Sequence, residues 1–394
     1  MTAPSPFPAR GFAASEFENR LAKAQQLMSK AGLDALLLTT EPEIRYFTGF
    51  LTRFWESPTR PWFLIIPARS APVAVIPSIG SELMHQVWPK IWPVDIRTWR
   101  SPSLSDDGIS LLAETLSEIA GPGGKVGVPM GHETSLRMPL ADFQTLTDII
   151  APIKFTRAAS IMRDLRMVKS EAEIAKINHA CTIANRAFER VPEIAETGTP
   201  LDEVFRRFQV LCLEESADWV AYLAGGAGKD GYGDVISPAT PVPLAKGDVL
   251  MLDTGLVWDG YFCDFDRNFA IGQPCDIAAN GHSQLMEAVE AALDIIKPGI
   301  TAADVFHAMD RIVSGGKGGS DAGRLGHGLG MQLTEWPSLI PDDHTILKQG
   351  MVLTLEPTVQ TTPGKIMVHE ENIIVTDNGA ELLSKRAGPQ LEVL

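Results

Sequence analysis

Apolar positions along the chain switch between two periods. Phe17, Leu21, Ala24 and Met28 recur at helical spacing, which predicts a helix from Phe17 to about Ala31 with one buried face, and Gly32 supplies its stop. Ala35–Thr39 is an apolar run short enough for a buried strand, and Trp62–Ile66 and Val73–Ile76 read the same way. Helical stretches are expected near Ser81–Val87 and Gly108–Ile119. Strands alternating with helices predict an N-terminal α/β domain over residues 1–160. Within it, the Pro-, Ala- and Ser-rich residues 1–15 are expected as a loose arm, and Lys154–Met167 as the crossing to the next domain.

From Lys169 the pattern changes. Ser170, with Glu173 three residues later, forms a capping box that opens a long amphipathic helix. A second helix is expected over Leu201–Glu215, behind Pro200, and a helix pair over His282–Ile296 and Ala302–Ser314. Strands fill the intervals, so residues 161–394 form a second, α+β domain.

Two hairpins interrupt apolar strands with carboxylates. Val249–Trp258 reads as a strand, Asp259-Gly260 as a tight turn, and Tyr261–Phe269 as the return. That turn sets Trp258 opposite Tyr261, Gly255 opposite Asp264 and Asp253 opposite Asp266. Asp253 and Asp264 are then diagonal neighbours roughly 7–8 Å apart at the backbone. Carboxylates flanked by apolar residues need a partner, and divalent cations would supply one; a solvated hairpin face is the bland reading. The second hairpin runs Met351–Pro357, turns at Thr361–Lys365 and returns along Ile366–Val375. A three-residue loop sets Glu356 opposite Glu370, and a two-residue loop sets it opposite Glu371; the register stays open. His327 lies between Gly326 and Gly328, which permit close backbone approach, although a lone loop histidine is more often structural than a ligand.

Composition narrows the classes. A net charge of −15 and pI near 5.0 argue against a general nucleic-acid binder. Four cysteines without a C-x-x-C pair make a disulfide framework improbable and a reducing compartment the better expectation. Neither a signal peptide nor a membrane-spanning run is legible, so a cytoplasmic protein without membrane contact is expected. Gly226–Gly231 matches G-x-G-x-x-G but opens no helix, which discounts a dinucleotide site.

The stretches LDTGLVWDGYFCDFDR, GHGLG, LEP and HEENIIVT resemble those of the pita-bread metallopeptidases, which include aminopeptidase P, prolidase and creatinase. DALLLTTEPEIRYFTGF resembles the start of the creatinase-type N-terminal domain, and RMVKSEAEIAKINHACTIAN the start of the catalytic one. The resemblance implies a pita-bread α+β catalytic domain behind an α/β domain. It also implies two divalent ions held by Asp253, Asp264, His327, Glu356 and Glu370, with Glu370 chosen over Glu371 by the following acidic residue and Asn372. Asp264 and Glu370 would bridge both ions, and Glu356 would also move the water's proton. An oxygen-rich set with one nitrogen favours Mn, Fe or Co, with Zn as an alternative.

The implied activity is hydrolysis of an amide C–N bond, with Xaa-Pro dipeptides as default substrate and a homodimer as the expected assembly. Three peptidase groups depart from the pattern. Thr334 stands where a histidine follows the ligand histidine, GYGDVISPATPVPL lacks the upstream histidine, and Val368 replaces an arginine. These departures keep a non-peptidase alternative open: a small-molecule hydrolase like creatinase or ectoine hydrolase, or a lyase like the dimethylsulfoniopropionate lyases. Glu335-Trp336-Pro337 resembles that lyase branch and nominates Trp336 as a substrate contact, but the branch's Asp-x-Asp is Asp253-Thr254-Gly255 here.

Overall fold

The computed structural model describes residues 7–57, 60–317 and 323–394, and its chain divides into two compact units, one of them Ala9–Arg166. This unit opens with α1 (Ala14–Ala31), whose face of Phe17, Leu21, Ala24 and Met28 is buried and whose end is the left-handed Gly32 at φ 64°. There follow β1 (Ala35–Leu38), α2 (Glu41–Thr48), β2 (Phe63–Pro67), β3 (Val73–Pro77), α3 (Ser81–Val87) and β4 (Ile96–Trp99). The unit continues with α4 (Ile109–Ala120), β5 (Lys125–Val128), α5 (Leu140–Ile149), β6 (Lys154–Arg157) and α6 (Ala159–Arg166). The six strands form one mixed sheet in the order β4-β3-β2-β1-β5-β6. Leu37, Ile65 and Val75 meet Leu112, Leu116 and Leu146 in its core. Each such fully buried aliphatic side chain contributes roughly 1.5–3 kcal/mol.

Lys154–Met167 holds a strand and a helix rather than a crossing. Its strand, Lys154–Arg157, is the sheet edge with no fully buried residue, so it lacks the apolar run that marks an interior strand. Residues 1–6 of the expected N-terminal arm lie outside the described residues, and from Ala14 the chain is already helical. The aromatic stretch Arg53–Phe63 includes a 3-10 turn at Arg53–Glu56, and the guanidinium of Arg137 stacks 5.0 Å from the Trp55 ring centre. Pro58 and Thr59 of that stretch are outside the described residues.

The second unit comprises Met167–Leu394 with Phe7 and Pro8. It begins with α7 (Glu171–Glu189) and α8 (Leu201–Glu214). The capping box forms as expected: Ser170 Oγ accepts from Glu173 N–H, and the Glu173 carboxylate accepts from Ser170 N–H. Its other carboxylate oxygen accepts from the Tyr261 hydroxyl at 2.9 Å, and Lys176 pairs with Asp259. One turn of helix therefore grips the tip of the first hairpin.

That hairpin lies in a sheet of β7 (Trp219–Lys229), β8 (Asp248–Trp258), β9 (Tyr261–Phe262) and β10 (Phe265–Ala270), to which the last strand of the chain adds below. Asp259 and Gly260 both have positive φ, as a tight two-residue turn requires. Trp258 pairs with Tyr261 and Asp253 with Asp266, the register expected. The chain then forms α9 (Asp276–Leu293) and α10 (Ala302–Val313), β11 (His327–Gly328) and β12 (Glu335–Ser338). It ends in β13 (Val352–Leu355), β14 (Thr358–Thr362), β15 (Lys365–Val368), β16 (Glu371–Val375), β17 (Ala380–Leu382) and β18 (Glu392–Val393). The first sheet reads β18-β10-β8-β7 with β9 on β8, and the second β12-β11-β13-β16-β17. Val289 and Phe306 of α9 and α10 pack on Leu353 and Ile373 beneath the second sheet. Gly226–Gly231 lies along β7 and the turn after it, with no helix following.

The second hairpin combines both sequence alternatives. Its turn is the two residues between Thr362 and Lys365, yet a bulge between Gln360 and Thr362 restores the longer-loop register. Thr358 therefore pairs with Val368, and Leu355 with Glu371 on the far side of the break. Glu356 is thereby aligned with Glu370.

Candidate metal centre

The carboxylates and the imidazole sit where strands stop or switch sheets. Asp253 lies inside β8, Asp264 in the gap between β9 and β10, Glu356 just past β13, and Glu370 between β15 and β16. His327 opens β11. Their ligand atoms form two groups: Asp264, His327 and Glu356 in one, Asp253, Asp264 and Glu370 in the other, all atoms of a group within 4.8 Å of one another. Asp264 belongs to both. All five residues proposed from sequence are thus gathered at one place.

Asp264, His327 and Glu356 are held from behind. Asn372 accepts from the Asp264 N–H at 2.9 Å and donates to the Asp264 carbonyl, replacing the strand partner that the break removes. Thr354 Oγ1 accepts from His327 N–H at 2.9 Å and donates to Glu356. The glycines flanking His327 serve close approach to protein backbone. A Cβ on Gly326 would sit 2.3 Å from the Thr354 carbonyl oxygen, and one on Gly328 2.0 Å from that of Trp336. His327 Nδ1 lies 2.8 Å from the Gly328 carbonyl; as donor there, it leaves the Nε2 lone pair for the site.

The electrostatics call for cations. His327 Nε2 faces Glu356 at 2.9 Å and Asp264 at 3.2 Å. Burial alone would lower the His327 pKa, but Glu356 and Asp264 outweigh it and lift it to about 10. Burial and the carboxylates of Asp264, Asp266 and Glu356 push Asp253 well above the carboxylate range. Burial and Asp253 do the same to Glu370. Burial raises Asp264 to about 6 even against His327. Burial also acts to raise Glu356, but His327 and Thr354 prevail and hold it at about 2. Asp253 Oδ1 and Glu370 Oε2 are buried and receive no hydrogen bond. Acceptors left bare in a low-dielectric pocket are expensive, and divalent ions are the partners this donor set fits.

Behind the ligands lies a buried layer whose histidine escaped the sequence reading, whereas Asp266 was expected there as added negative charge facing Asp253. Asp266, fully buried, accepts the Glu370 N–H at 2.7 Å and the Asn268 amide at 3.0 Å, and pairs with His369 Nδ1 at 3.4 Å. His369 Nε2 faces Glu371 at 3.2 Å, and Glu371 pairs with Arg267 at 3.0 Å. Burial would lower His369, but Asp266 and Glu371 raise it to about 9. His369 shows no ligand spacing in sequence, and its partners emerge only through hairpin pairing. Asp266 therefore aims Glu370 as well as adding charge. Asp266→Ser is expected to weaken metal affinity about 10–100-fold, read by competition with a chelator dye; unchanged affinity and pH profile would remove it from the site.

Tyr222 on β7 also reaches the centre, where burial raises the pKa of its hydroxyl and the Asp253 carboxylate raises it further. Trp336, expected at the substrate, is half-buried on β12 and packs against the cluster of Leu325, Leu339 and Leu353. Among the described residues no helix is long and apolar enough to cross a membrane.

Comparison with known proteins agrees with this architecture. Residues 175–378 match metallopeptidase family M24, and residues 20–168 match the creatinase/prolidase N-terminal domain. A probable dipeptidase PepE of Mycobacterium tuberculosis is 29% identical over 94% of this chain and 95% of its own. An Xaa-Pro dipeptidase of Pyrococcus horikoshii is 26% identical over 93% and 97%. Among solved structures, dipeptidase PepE from Mycobacterium ulcerans superposes with a TM-score of 0.82 at 28% identity over 98% of this chain and 99% of that one. Recombinant prolidase from Thermococcus sibiricus gives 0.85 at 25% identity, over 98% and 100%. The expected fold, a pita-bread domain behind a creatinase-type α/β domain, is borne out, and the chain belongs to metallopeptidase family M24.

Proposed function

We propose that this metallopeptidase is a dinuclear enzyme that hydrolyses Xaa-Pro dipeptides. The carrying observation is the pair of three-ligand groups that share Asp264. In this reading Asp253, Asp264 and Glu370 would hold one ion and Asp264, His327 and Glu356 the other, with Glu370 also near enough to contribute to the second. The ions would lower the pKa of water and polarise the scissile carbonyl.

The residues do the remaining work. Glu356 has the most exposed side chain of those facing His327, at 15%, so it can accept a proton and return it toward solvent. Thr354 keeps that carboxylate oriented, and Asn372 and Asp266 keep Asp264 and Glu370 aimed inward. In this reading Trp336 would meet substrate only with the part it leaves exposed, and the oxygen-rich donor set would favour Mn, Fe or Co, with Zn as the alternative. A homodimer is part of the proposal. The dipeptidase relatives favour the peptidase over the small-molecule hydrolase or lyase alternative.

Elemental analysis of purified protein, followed by turnover of Gly-Pro and other Xaa-Pro dipeptides with each metal, tests it. About two ions per chain with Xaa-Pro cleavage is the expected result. Bound metal with no dipeptide cleaved would transfer the site to the alternative, and protein that binds no metal would sink the centre.

A further inference from the structure

The mouth of the candidate centre is polarised. On the side of Asp253 its wall is apolar. Leu333 packs directly over Gly255, where an added Cβ would meet Leu333 Cδ1 at 2.3 Å and Tyr222 Cβ at 3.2 Å. Gly255 is the residue that hairpin register sets opposite Asp264, so this wall stands beside the shared ligand. Next to that wall stands a cation. Arg324 stands three residues before His327, and its side chain is tied to the residue that follows Leu333. Its Nη2 donates to Thr334 Oγ1 at 3.2 Å, a neutral hydroxyl that steers the side chain without neutralising it. Arg324 is half-buried, as are Leu333 and Thr334.

We propose that Arg324, steered by Thr334, binds the free carboxylate of the substrate while Leu333 and Tyr222 receive its apolar portion. The inference deepens the dipeptidase reading and rests on it. Five donors in a planar fork suit a carboxylate, and one hydroxyl contact leaves most of them available. A cation in this wall also offsets the repulsion that an anionic substrate meets from the carboxylates. The site then requires a small substrate with an anionic end, an apolar middle and a carbonyl at the metals.

The test uses the full-length, metal-loaded protein as wild type, Arg324→Lys and Arg324→Met, with Gly-Pro and Gly-Pro amide as substrates. Metal content is measured on every sample. Loss of a charge-assisted bond predicts that the preference for free acid over amide, as a ratio of kcat/KM, falls about ten- to a hundredfold in Arg324→Met. Most of that fall should appear in KM, and Arg324→Lys should recover part of it. Equal losses on both substrates, or an unchanged ratio, would show that Arg324 only neutralises Asp264 and Glu356 and would overturn the proposal.

Wild-type protein that cleaves neither substrate refutes the dipeptidase reading instead. Calorimetric titration with acetate, propionate and L-proline then reads the anchor alone. Carboxylate binding lost in Arg324→Met supports the anchor. Binding equal in both proteins, or none in wild type, overturns it.

Discussion

Asp264→Asn is expected to release both metal ions and to lower turnover on the order of a thousandfold or more, because this carboxylate alone belongs to both ligand groups. The metal-free variant should melt no lower than metal-free wild type. Without cations, the ionised Asp264 is a liability: burial raises its pKa from 3.8 to about 6. A carboxyl raised in the folded state takes stability away as pH climbs past its unfolded value. Asp253 and Glu370, raised well above that range, do so over a wider interval.

His327 acts in the same direction. Its folded value of about 10 lies above 6.5, so its contribution is complete below 6.5 and lost as pH rises through 10. Glu356 and Glu371, held at about 2, give stability above 4.5 that disappears only as pH falls toward 2. Metal-free protein should therefore gain stability as pH falls from about 8 to about 5.5, and the rise in melting temperature on adding metal should shrink over the same interval. Calorimetry with and without chelator checks both. A metal-induced shift that grows toward acid would contradict the assignment.

Glu335→Ala should be the most damaging change outside the ligand set. Glu335 and Lys169 pair at 3.3 Å with both side chains 1% exposed. The same carboxylate accepts from the Met331 and Gln332 N–H groups at 2.8 and 3.1 Å. Removing one partner of a buried pair costs about 3–5 kcal/mol, and here it also releases two backbone donors. Denaturant unfolding of the metal-free protein would measure it, and a loss under about 1 kcal/mol would contradict the burial. Lys169→Met combined with Glu335→Leu should recover only part, since no aliphatic side chain satisfies those amides. Activity should fall with stability, because the loop so held carries Leu333 and Thr334.

What could be read in the chain depended on whether the deciding interaction was local. The first hairpin register was legible because Asp259-Gly260 admits one tight turn, and every later pairing follows from it. The second was not, because a bulge between Gln360 and Thr362 leaves no composition signal and compensates for a short turn. The α7 cap was legible in four residues. Edge strand β6 was missed because its solvent-facing residues imitate a linker. Asp253, Asp264 and Glu356 stood out as carboxylates in apolar strands and the resemblance added His327 and chose Glu370, but Asp266, His369 and Tyr222 acquire their meaning from partners across the fold. Asp266 meets Glu370 over a separation of 104 residues, and no window along the chain spans that.

The breaks that carry the ligands have a mechanical consequence. Asp253 and Asp264 belong to the sheet around β8, whereas His327, Glu356 and Glu370 come from the termini of strands in the other. Ions seated among them would rivet two sheets that otherwise adhere through side chains. With the rivets in place the sheets should open only together, and amide protons of β10 and β16 should exchange at one common rate. Stripped of metal, the seam becomes the easiest line of parting, and those two strands should begin to exchange independently while the helices beneath stay protected.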